Sequence, residues 1–464
     1  MAFVRRRNVH LVLFCVVLLM VWQFSCTICG TTNSINVLGS FSRYPSKETT
    51  ESLFLNEQQC RATFPGLTKE IDDTVARGPF ILDKKPDDYQ GLVQARIKDG
   101  KVRCAGPREE RASLTSEEIL ALRRHFKVAR MGTNASQERQ SVLYQIHRAL
   151  VTSPTPLPDT VFAFSIIDYP RQDAWSFSRS NDPNIKGNYW VMPHFSFWSW
   201  PKPFLGTMDQ ALDGISTIEH RIPWEKKIDK AIWRGTAWFN SVGNTALRPN
   251  LLAATKDQDW ADVEDLRWET NGIKAKNSIG IEDFCKYKYI IYTEGVTYSG
   301  RLPFHQACRS IILTPPPSYM MHTTHQLRPL FSSTLPFSPS YNSQTAPPPH
   351  NPRWPDSYSP STANIIFVEP DWSDLHQTIE WLRAHPEFAE GIANRQREST
   401  VDKGMLSPAA EVCYWRSLVR GWNSVVKIDE GAWGKWEREG GTNGEGMRFE
   451  SFALTGETTW ESVQ

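Results

Sequence analysis

Two arginines sit where an anion-binding site is easiest to build. Arg234 follows Lys230-Ala-Ile-Trp233, a short strand pattern, and leads into Gly235 and Thr236. Arg301 follows a second strand pattern, Tyr287 to Tyr292, after a loop of small residues that includes Gly295 and Ser299. A guanidinium carries a permanent charge and a planar fork that matches phosphate oxygens. Glycine lets a backbone come close to a ligand, and a threonine near a helix start adds a donor. Arg248, on the helical stretch from Leu247 to Ala254, is a third cation of the same region. The plain alternative for each arginine is a structural salt bridge. Val161-Phe-Ala-Phe-Ser-Ile-Ile167 reads as a buried strand that empties into Asp168-Tyr169-Pro170. An aspartate there either takes a proton from a hydroxyl or forms the turn before proline. His194 is the competing base. It precedes Phe195-Ser-Phe-Trp198-Ser-Trp200, whose aromatic rings suit either a sugar or a core.

Other cues are weaker. There is no G-x-G-x-x-G, Walker loop, G-x-S-x-G elbow or H-E-x-x-H. Asp257-Gln258-Asp259 has the spacing of a metal-holding D-x-D, but it follows a helical run and has the acidic neighbours of a solvated loop. His322-Thr-Thr-His325 has metal-pair spacing with no carboxylate beside it. No metal is expected. Glu369, Asp371 and Asp374 could suggest a glycoside hydrolase, yet acids at one helix start favour its dipole and cannot flank a bond. Lysine plus arginine total 52 against 51 acidic residues, so no global field favours nucleic acid.

The elements that must position these residues alternate. Strand patterns at 161–167, 230–233, 287–292 and 310–313 are interleaved with helical patterns at 141–150, 247–254, 304–308, 374–384 and 409–425. That alternation argues for α/β architecture with largely parallel sheets, in which ligands sit beyond the carboxyl ends of strands. Near-helical spacing also runs through 66–82, and Thr115-x-x-Glu118 forms a capping box for a helix at about 113–126. Arg5, Arg6 and Arg7 precede an apolar run from Leu11 to Cys29, about 28 Å long as a helix. Either a signal anchor with the rest of the chain lumenal or a cleaved signal peptide fits. Cys60, Cys104, Cys285, Cys308 and Cys413 suit an oxidising lumen, and Asn134-Ala-Ser136 is a glycosylation sequon.

Trp233-Arg234-Gly235, Asp283-Phe-Cys285-Lys-Tyr-Lys-Tyr289, Gly295 through Ser299 to Arg301, and Glu411-Val-Cys413-Tyr-Trp415 together resemble glycosyltransferase family 90. This family contains the fungal capsule-associated xylosyltransferases and the animal protein O-glucosyltransferases. The resemblance is strong over about 160–320 and weaker over 365–425. It implies a GT-B-like fold, with two Rossmann-like lobes facing a cleft. It also implies an inverting, metal-independent transfer of xylose or glucose from a UDP-sugar to a glycan or protein hydroxyl, with no cofactor.

On that resemblance Asp168 is the base, and Arg234, Gly235, Thr236, Arg248, Gly295, Ser299 and Arg301 hold the donor. His194, Trp198 and Trp200 lie near the sugar or acceptor. Cys285 pairs with Cys308, and Cys413 with Cys60. Met320-Met321-His322 departs from the family pattern, where an acidic stretch is usual. The expected divisions are a tail and anchor at 1–30, a stem and helical extension at 31–105, an acceptor lobe at 106–225 and a donor lobe at 226–400. A Pro/Ser-rich insertion falls at about 328–363, and a returning helix and tail occupy 401–464. The implied setting is a Golgi or endoplasmic reticulum membrane, single-pass type II. The alternative is a catalytically inactive lumenal sugar-binding relative.

Overall fold

The computed structural model describes residues 44–82, 92–104, 133–194, 206–269, 274–337, 357–428 and 447–450, and the account below concerns the unit from Pro45 onward. A one-turn helix at Lys47–Glu51 opens it, followed by two more short helices, α1 (Glu57–Thr63) and α2 (Lys69–Val75). Asn56 and Gln59 form a capping box that fixes where α1 starts. The first sheet contains β1 (Leu92–Lys98), β2 (Lys101–Cys104), β3 (Thr160–Ser165), β4 (Ala174–Ser176) and β5 (Tyr189–Val191). Its order is Met447–Arg448, β2, β1, β3, β4, β5. β1 and β2 form a hairpin whose two turn residues, Asp99 and Gly100, have φ of 50° and 70°. Positive φ at both is the backbone that Asp-Gly accommodates. β3, β4 and β5 run parallel, and helix α3 (Thr133–Val151) precedes β3.

The second sheet is wholly parallel. It comprises β6 (Ile228–Gly235), β7 (Ala261–Asp265), β8 (Tyr287–Ile291), β9 (Ile311–Thr314), β10 (Pro329–Phe331) and β11 (Ile365–Phe367), in the order β10-β11-β9-β8-β6-β7. Its inner strands are apolar on both faces, as a sheet covered on two sides requires. Helices α4 (Met208–Arg221), α5 (Leu247–Thr255), α6 (Leu302–Gln306), α7 (Leu375–Ala384) and α8 (Pro386–Arg397) belong to it. Trp233, Tyr289, Ile311 and Ile366 pack with α5, α7 and α8, while Ile232 and Ile290 pack with α4 and the segment around Cys285 and Cys308.

Helix α9 (Pro408–Val425) then carries the chain back to the first sheet. It is buried almost all round, the signature of a core helix rather than a surface one. Its Trp415 Nε1 donates to Gln145 Oε1 at 3.1 Å, Tyr414 Oη to the Val191 carbonyl at 2.8 Å and Trp422 Nε1 to the Val161 carbonyl at 2.8 Å. Arg416 donates to the carbonyls of Leu53, Leu55 and Ala149, and Glu411 pairs with Arg148. Trp175, Trp190, Trp415 and Trp422 form one cluster with Phe80 and Phe162. Each indole removes about 150–250 Å² from water, roughly 4–6 kcal/mol apiece before entropy at about 25 cal/mol/Å².

Four expectations need correction. Residues 31–55, Ser/Thr/Asn-rich with little periodicity, read as a flexible stem, but Ser46 caps a helix at Lys47–Glu51, and Leu53 and Leu55 give their carbonyls to Arg416. The 66–82 pattern is two elements. α2 ends at Val75, Gly78 turns the chain at φ 94°, and Phe80–Leu82 pairs in parallel with Val426–Ile428. The strand before Asp168 ends at Ser165 rather than Ile167. The Pro/Ser-rich stretch does not begin at 328, because Pro329 starts β10, an edge strand where a missing N–H costs no ladder bond. The helix expected at about 113–126 and the segment 338–356 lie outside the described residues, as does the 1–30 anchor. Among the described residues no helix is long and apolar enough to cross a membrane.

Both disulfides implied by the resemblance are present. Cys60 joins Cys413 with Cα atoms 5.6 Å apart, and Cys285 joins Cys308 at 5.0 Å. The former ties α1 to α9. Cys413→Ser is expected to lower unfolding free energy by about 2–4 kcal/mol, read as a shifted denaturant midpoint under oxidising conditions.

Candidate functional site

The carboxyl ends of the parallel strands in both sheets come to one place. β3 leads to Asp168, β4 to Phe177 and β5 to His194 on the first sheet. β6 ends at Gly235 and Thr236, and β8 leads to Glu294 and Gly295 on the second. Thr297 Oγ1 donates to the Asp168 carbonyl at 2.8 Å. Tyr298 places its ring 5.4 Å from His194 and 6.3 Å from Phe177. The loop 295–300 therefore closes against Asp168, Phe177 and His194 of the first sheet.

Arg301 is set by what surrounds it. It stands at the start of α6, between Cys285 and Cys308 in the chain, and so within the segment their bond closes. Beneath that segment lies the buried Lys227. Its ammonium donates to Glu219 Oε1 at 2.8 Å and to the carbonyls of Cys285 and Arg309 at 2.7 Å each. Burial pulls the Lys227 ammonium down to about 8 against the pull of Glu219. Arg301 is half-buried and donates to the Arg234 carbonyl. Arg248 is buried, with Nε donating to the Glu294 carbonyl at 3.1 Å and Nη1 to the Thr236 carbonyl at 2.8 Å. Its Cζ lies 5.8 Å from the Trp233 ring centre.

These contacts redistribute the three arginines. The Arg234 guanidinium turns back along the sheet: Nη2 meets Asp262 Oδ1 at 2.6 Å and Nη1 the Asp262 carbonyl at 2.7 Å. Asp262 is in register with Ile232, three residues short of the strand end, so this charge points away from the mouth. Burial opposes the Asp262 charge, but hydrogen bonds from Tyr287 and Arg234 hold its carboxyl below the usual range. The expected structural salt bridge is therefore realised at Arg234. Arg248 and Arg301 bond to main-chain carbonyls and form no ion pair among the described residues. Burial and then the neighbouring Arg301 lower Arg248 to about 9, and burial lowers Arg301 to about 10. Tyr292 and Asp265 pull the other way on Arg248 more weakly than burial and Arg301, so the pair leaves an excess of positive charge that favours an anion.

The other expected residues divide clearly. A Cβ on Gly235 would overlap the Trp233 indole, so the glycine serves that ring. Thr236 Oγ1 accepts from Trp268 Nε1 at 2.9 Å. Gly295 is close enough to Arg248 that an added Cβ would sit 3.7 Å from Nη2. Ser299 N donates to Tyr292 Oη at 3.0 Å, which braces the loop before Arg301. Asp168 is exposed, and desolvation by its surroundings raises its carboxyl above the usual range. His194 is buried, and burial followed by repulsion from His322 lowers it to about 3, a value that makes it a poor proton acceptor near neutrality. Trp198 and Trp200 lie outside the described residues. Asn134 falls in the first turn of α3.

The weaker motifs also have places. Asp257-Gln258-Asp259 precedes β7 at its amino end, opposite the mouth, and Asp259 pairs with Arg383 at 3.4 Å. His325 Nε2 lies 2.7 Å from the buried Glu70, which also pairs with Arg179. The Asp371 and Asp374 carboxylates accept from Ser373 and Glu369 main-chain N–H groups, as turn residues do.

Three features escaped sequence reasoning. Glu294 is buried and accepts from Tyr319 N at 2.8 Å, and burial raises it to about 7. Trp238 and Phe239 stack at 4.0 Å on the exposed loop after Thr236. Glu138 on α3 is raised to about 7 by burial and then by the charge of Asp168. Its signal was readable: Glu138 stands four residues before Val142 and seven before Gln145, on one helical stripe.

Residues 132–343 match the model of glycosyl transferase family 90. Among curated relatives, protein O-glucosyltransferase 1 of Rattus norvegicus is 24% identical over 294 residues, covering 59% of this chain and 64% of its own. The O-glucosyltransferase rumi homolog of Aedes aegypti is 27% identical over 295 residues, covering 59% and 63%. Protein O-glucosyltransferase 2 of Danio rerio is 25% identical over 256 residues, covering 52% and 43%. The chain thus spans less than two thirds of the length of these relatives.

The charge arrangement makes a direct prediction. Inorganic pyrophosphate at 100 times its dissociation constant should raise unfolding free energy by about 2.7 kcal/mol. Arg248→Ala or Arg301→Ala should remove that gain in thermal melts. Arg234→Ala should lower stability in the absence of anion, because Asp262 loses its partner.

Proposed function

We propose that the protein is an inverting glycosyltransferase that moves a sugar from a UDP-sugar to an acceptor hydroxyl without a metal. The observation that carries the reading is the Arg248–Arg301 pair, two guanidiniums with no ion-paired carboxylate among the described residues, opposite Asp168 inside a segment that matches the family 90 model. In this reading the two sheets are the lobes of a GT-B-like enzyme. The diphosphate lies on Arg248 and Arg301 at the second sheet, and Arg234 acts through its carbonyl to aim Arg301. Thr236, Gly295 and Ser299 shape that loop wall. The printed names of the relatives favour glucose as the donated sugar, with xylose the second choice.

The acceptor hydroxyl comes in from the first-sheet side. Its oxygen bonds to the anomeric carbon as the bond from that carbon to the diphosphate oxygen breaks. UDP leaves with the bonding electron pair, its new negative charge facing the two arginines. The hydroxyl proton passes to Asp168. Attack from the face opposite the diphosphate inverts the anomeric centre. Fixed guanidiniums provide the charge that a divalent ion provides elsewhere. Arg5 to Arg7, the apolar run from Leu11 to Cys29 and two disulfides support a lumenal enzyme of the endoplasmic reticulum or Golgi, anchored as a type II protein.

The test is transfer and hydrolysis with UDP-glucose and UDP-xylose on purified protein. Arg301→Ala should reduce kcat about 10²–10³-fold, with the fold intact by circular dichroism, and EDTA should change little. Activity abolished by EDTA and restored by Mn²⁺ would overturn the metal-free mechanism. The rate should also fall on the acid side as Asp168 takes up a proton. Because its carboxyl is raised, that fall should centre above the ordinary aspartate value of about 3.9.

A further inference from the structure

Glu138 has a position that the reaction above leaves unused. Along α3, Val142 and Ala149 are buried, Gln145 meets Trp415, and the Ala149 carbonyl meets Arg416. Glu138 continues this stripe towards the start of the helix, beyond the contacts with α9. The end of α3 lies where Arg416 bonds Ala149 and Thr152, and the chain then returns through β3 to Asp168. A helix feeding a strand in this way brings the first turns of α3 to the edge at which β3 ends.

The carboxylate of Glu138 is half-buried and makes no hydrogen bond or ion pair among the described residues. The charged groups that face it are Asp168 at the end of β3, Arg139 on its own helix and the Tyr298 hydroxyl from the loop closing over the site. Thr297 holds that loop to the Asp168 carbonyl. A half-buried acid beside a second acid is costly, and nothing in the packing of α3 requires it. Alanine or leucine would continue the stripe more stably.

We propose that Glu138 is a positioning residue for the acceptor, hydrogen-bonded to a hydroxyl next to the one that Asp168 deprotonates. Two adjacent carboxylates fit two adjacent hydroxyls. The pair therefore selects an acceptor with neighbouring free hydroxyls, such as a pyranose ring, over one with a single hydroxyl. Glu138 takes no proton in the transfer. This inference rests on the glycosyl-transfer reading.

The test compares wild type, Glu138→Gln and Glu138→Asp with three acceptors: methyl pyranosides, their monodeoxy analogues lacking the neighbouring hydroxyl, and a serine-containing peptide. Glu138→Gln should raise the KM of methyl pyranosides about tenfold, with UDP affinity by calorimetry unchanged and partial rescue in Glu138→Asp. With the monodeoxy analogue, wild type and Glu138→Gln should perform alike. The acid limb of kcat/KM should stay in place in Glu138→Gln, because Glu138 already carries its proton where Asp168 titrates. Folding provides a control with a definite sign. Glu138 is raised in the folded state, so its contribution to stability is present at low pH and lost as pH rises through about 7. Glu138→Gln should then melt no lower than wild type at pH 8. An unchanged pyranoside KM, a shifted pH limb, or an equal loss with the serine peptide overturns the inference while the transfer reading stands. Wild-type protein that binds UDP yet transfers to no acceptor sinks the transfer reading, and this inference with it.

Discussion

The structure depends on the burial of one helix that arrives late in the chain. α9 follows the whole second sheet, yet its side chains complete the core of the first. Trp415 and Trp422 fill space that β3, β4 and α3 leave open, and their indole N–H groups meet Gln145 and Val161. Arg416 gathers four oxygens from Leu53, Leu55, Ala149 and Thr152, ends that would otherwise lack donors. Without α9 the strand that presents Asp168 would have an open side. The edge of the first sheet that carries Asp168 is thus held by residues from the far end of the fold.

Charge is treated differently at four buried or half-buried cations. Lys227 has Glu219 and three further oxygens, so its work is to gather the segment beneath Arg301. Arg234 has Asp262, itself tied to Tyr287 at 2.5 Å. Arg248 and Arg301 have carbonyls and each other. The positive charges of Arg248 and Arg301 repel each other, an electrostatic cost that an anion relieves. On the acceptor side the same logic appears with opposite sign, in Glu138 and Asp168.

Much of this was legible in the residues. The alternation of strand and helix patterns located β3, β6, β8 and β9 and helices α5, α7 and α9 to within a few positions, because apolar periodicity is local. The pairing of Cys285 with Cys308 and of Cys60 with Cys413 followed from resemblance rather than spacing. Arg234 shows where local reading fails. Its sequence context is that of a ligand-gripping arginine, but its partner Asp262 lies on a neighbouring strand 28 residues away. Strand order decides that contact, and a pattern read along one segment contains no strand order. The same reason hid Glu138, whose meaning depends on Asp168 thirty residues later. Pro329 failed differently: its composition matched a loop, while an edge position made proline acceptable in a strand.

The covalent link between Cys60 and Cys413 spans 353 residues. At translation rates of about 5–20 residues per second, Cys413 is made roughly 20–70 s after Cys60. The second sheet is built from contiguous chain and can assemble as it emerges. The first sheet must wait, with its tryptophan cavity unfilled and one thiol unmatched, until α9 is synthesised. Order of assembly therefore runs opposite to order of sequence: the half that begins the chain is the half that finishes last. During that interval the newborn protein presents a surface that chaperones and thiol exchange enzymes recognise.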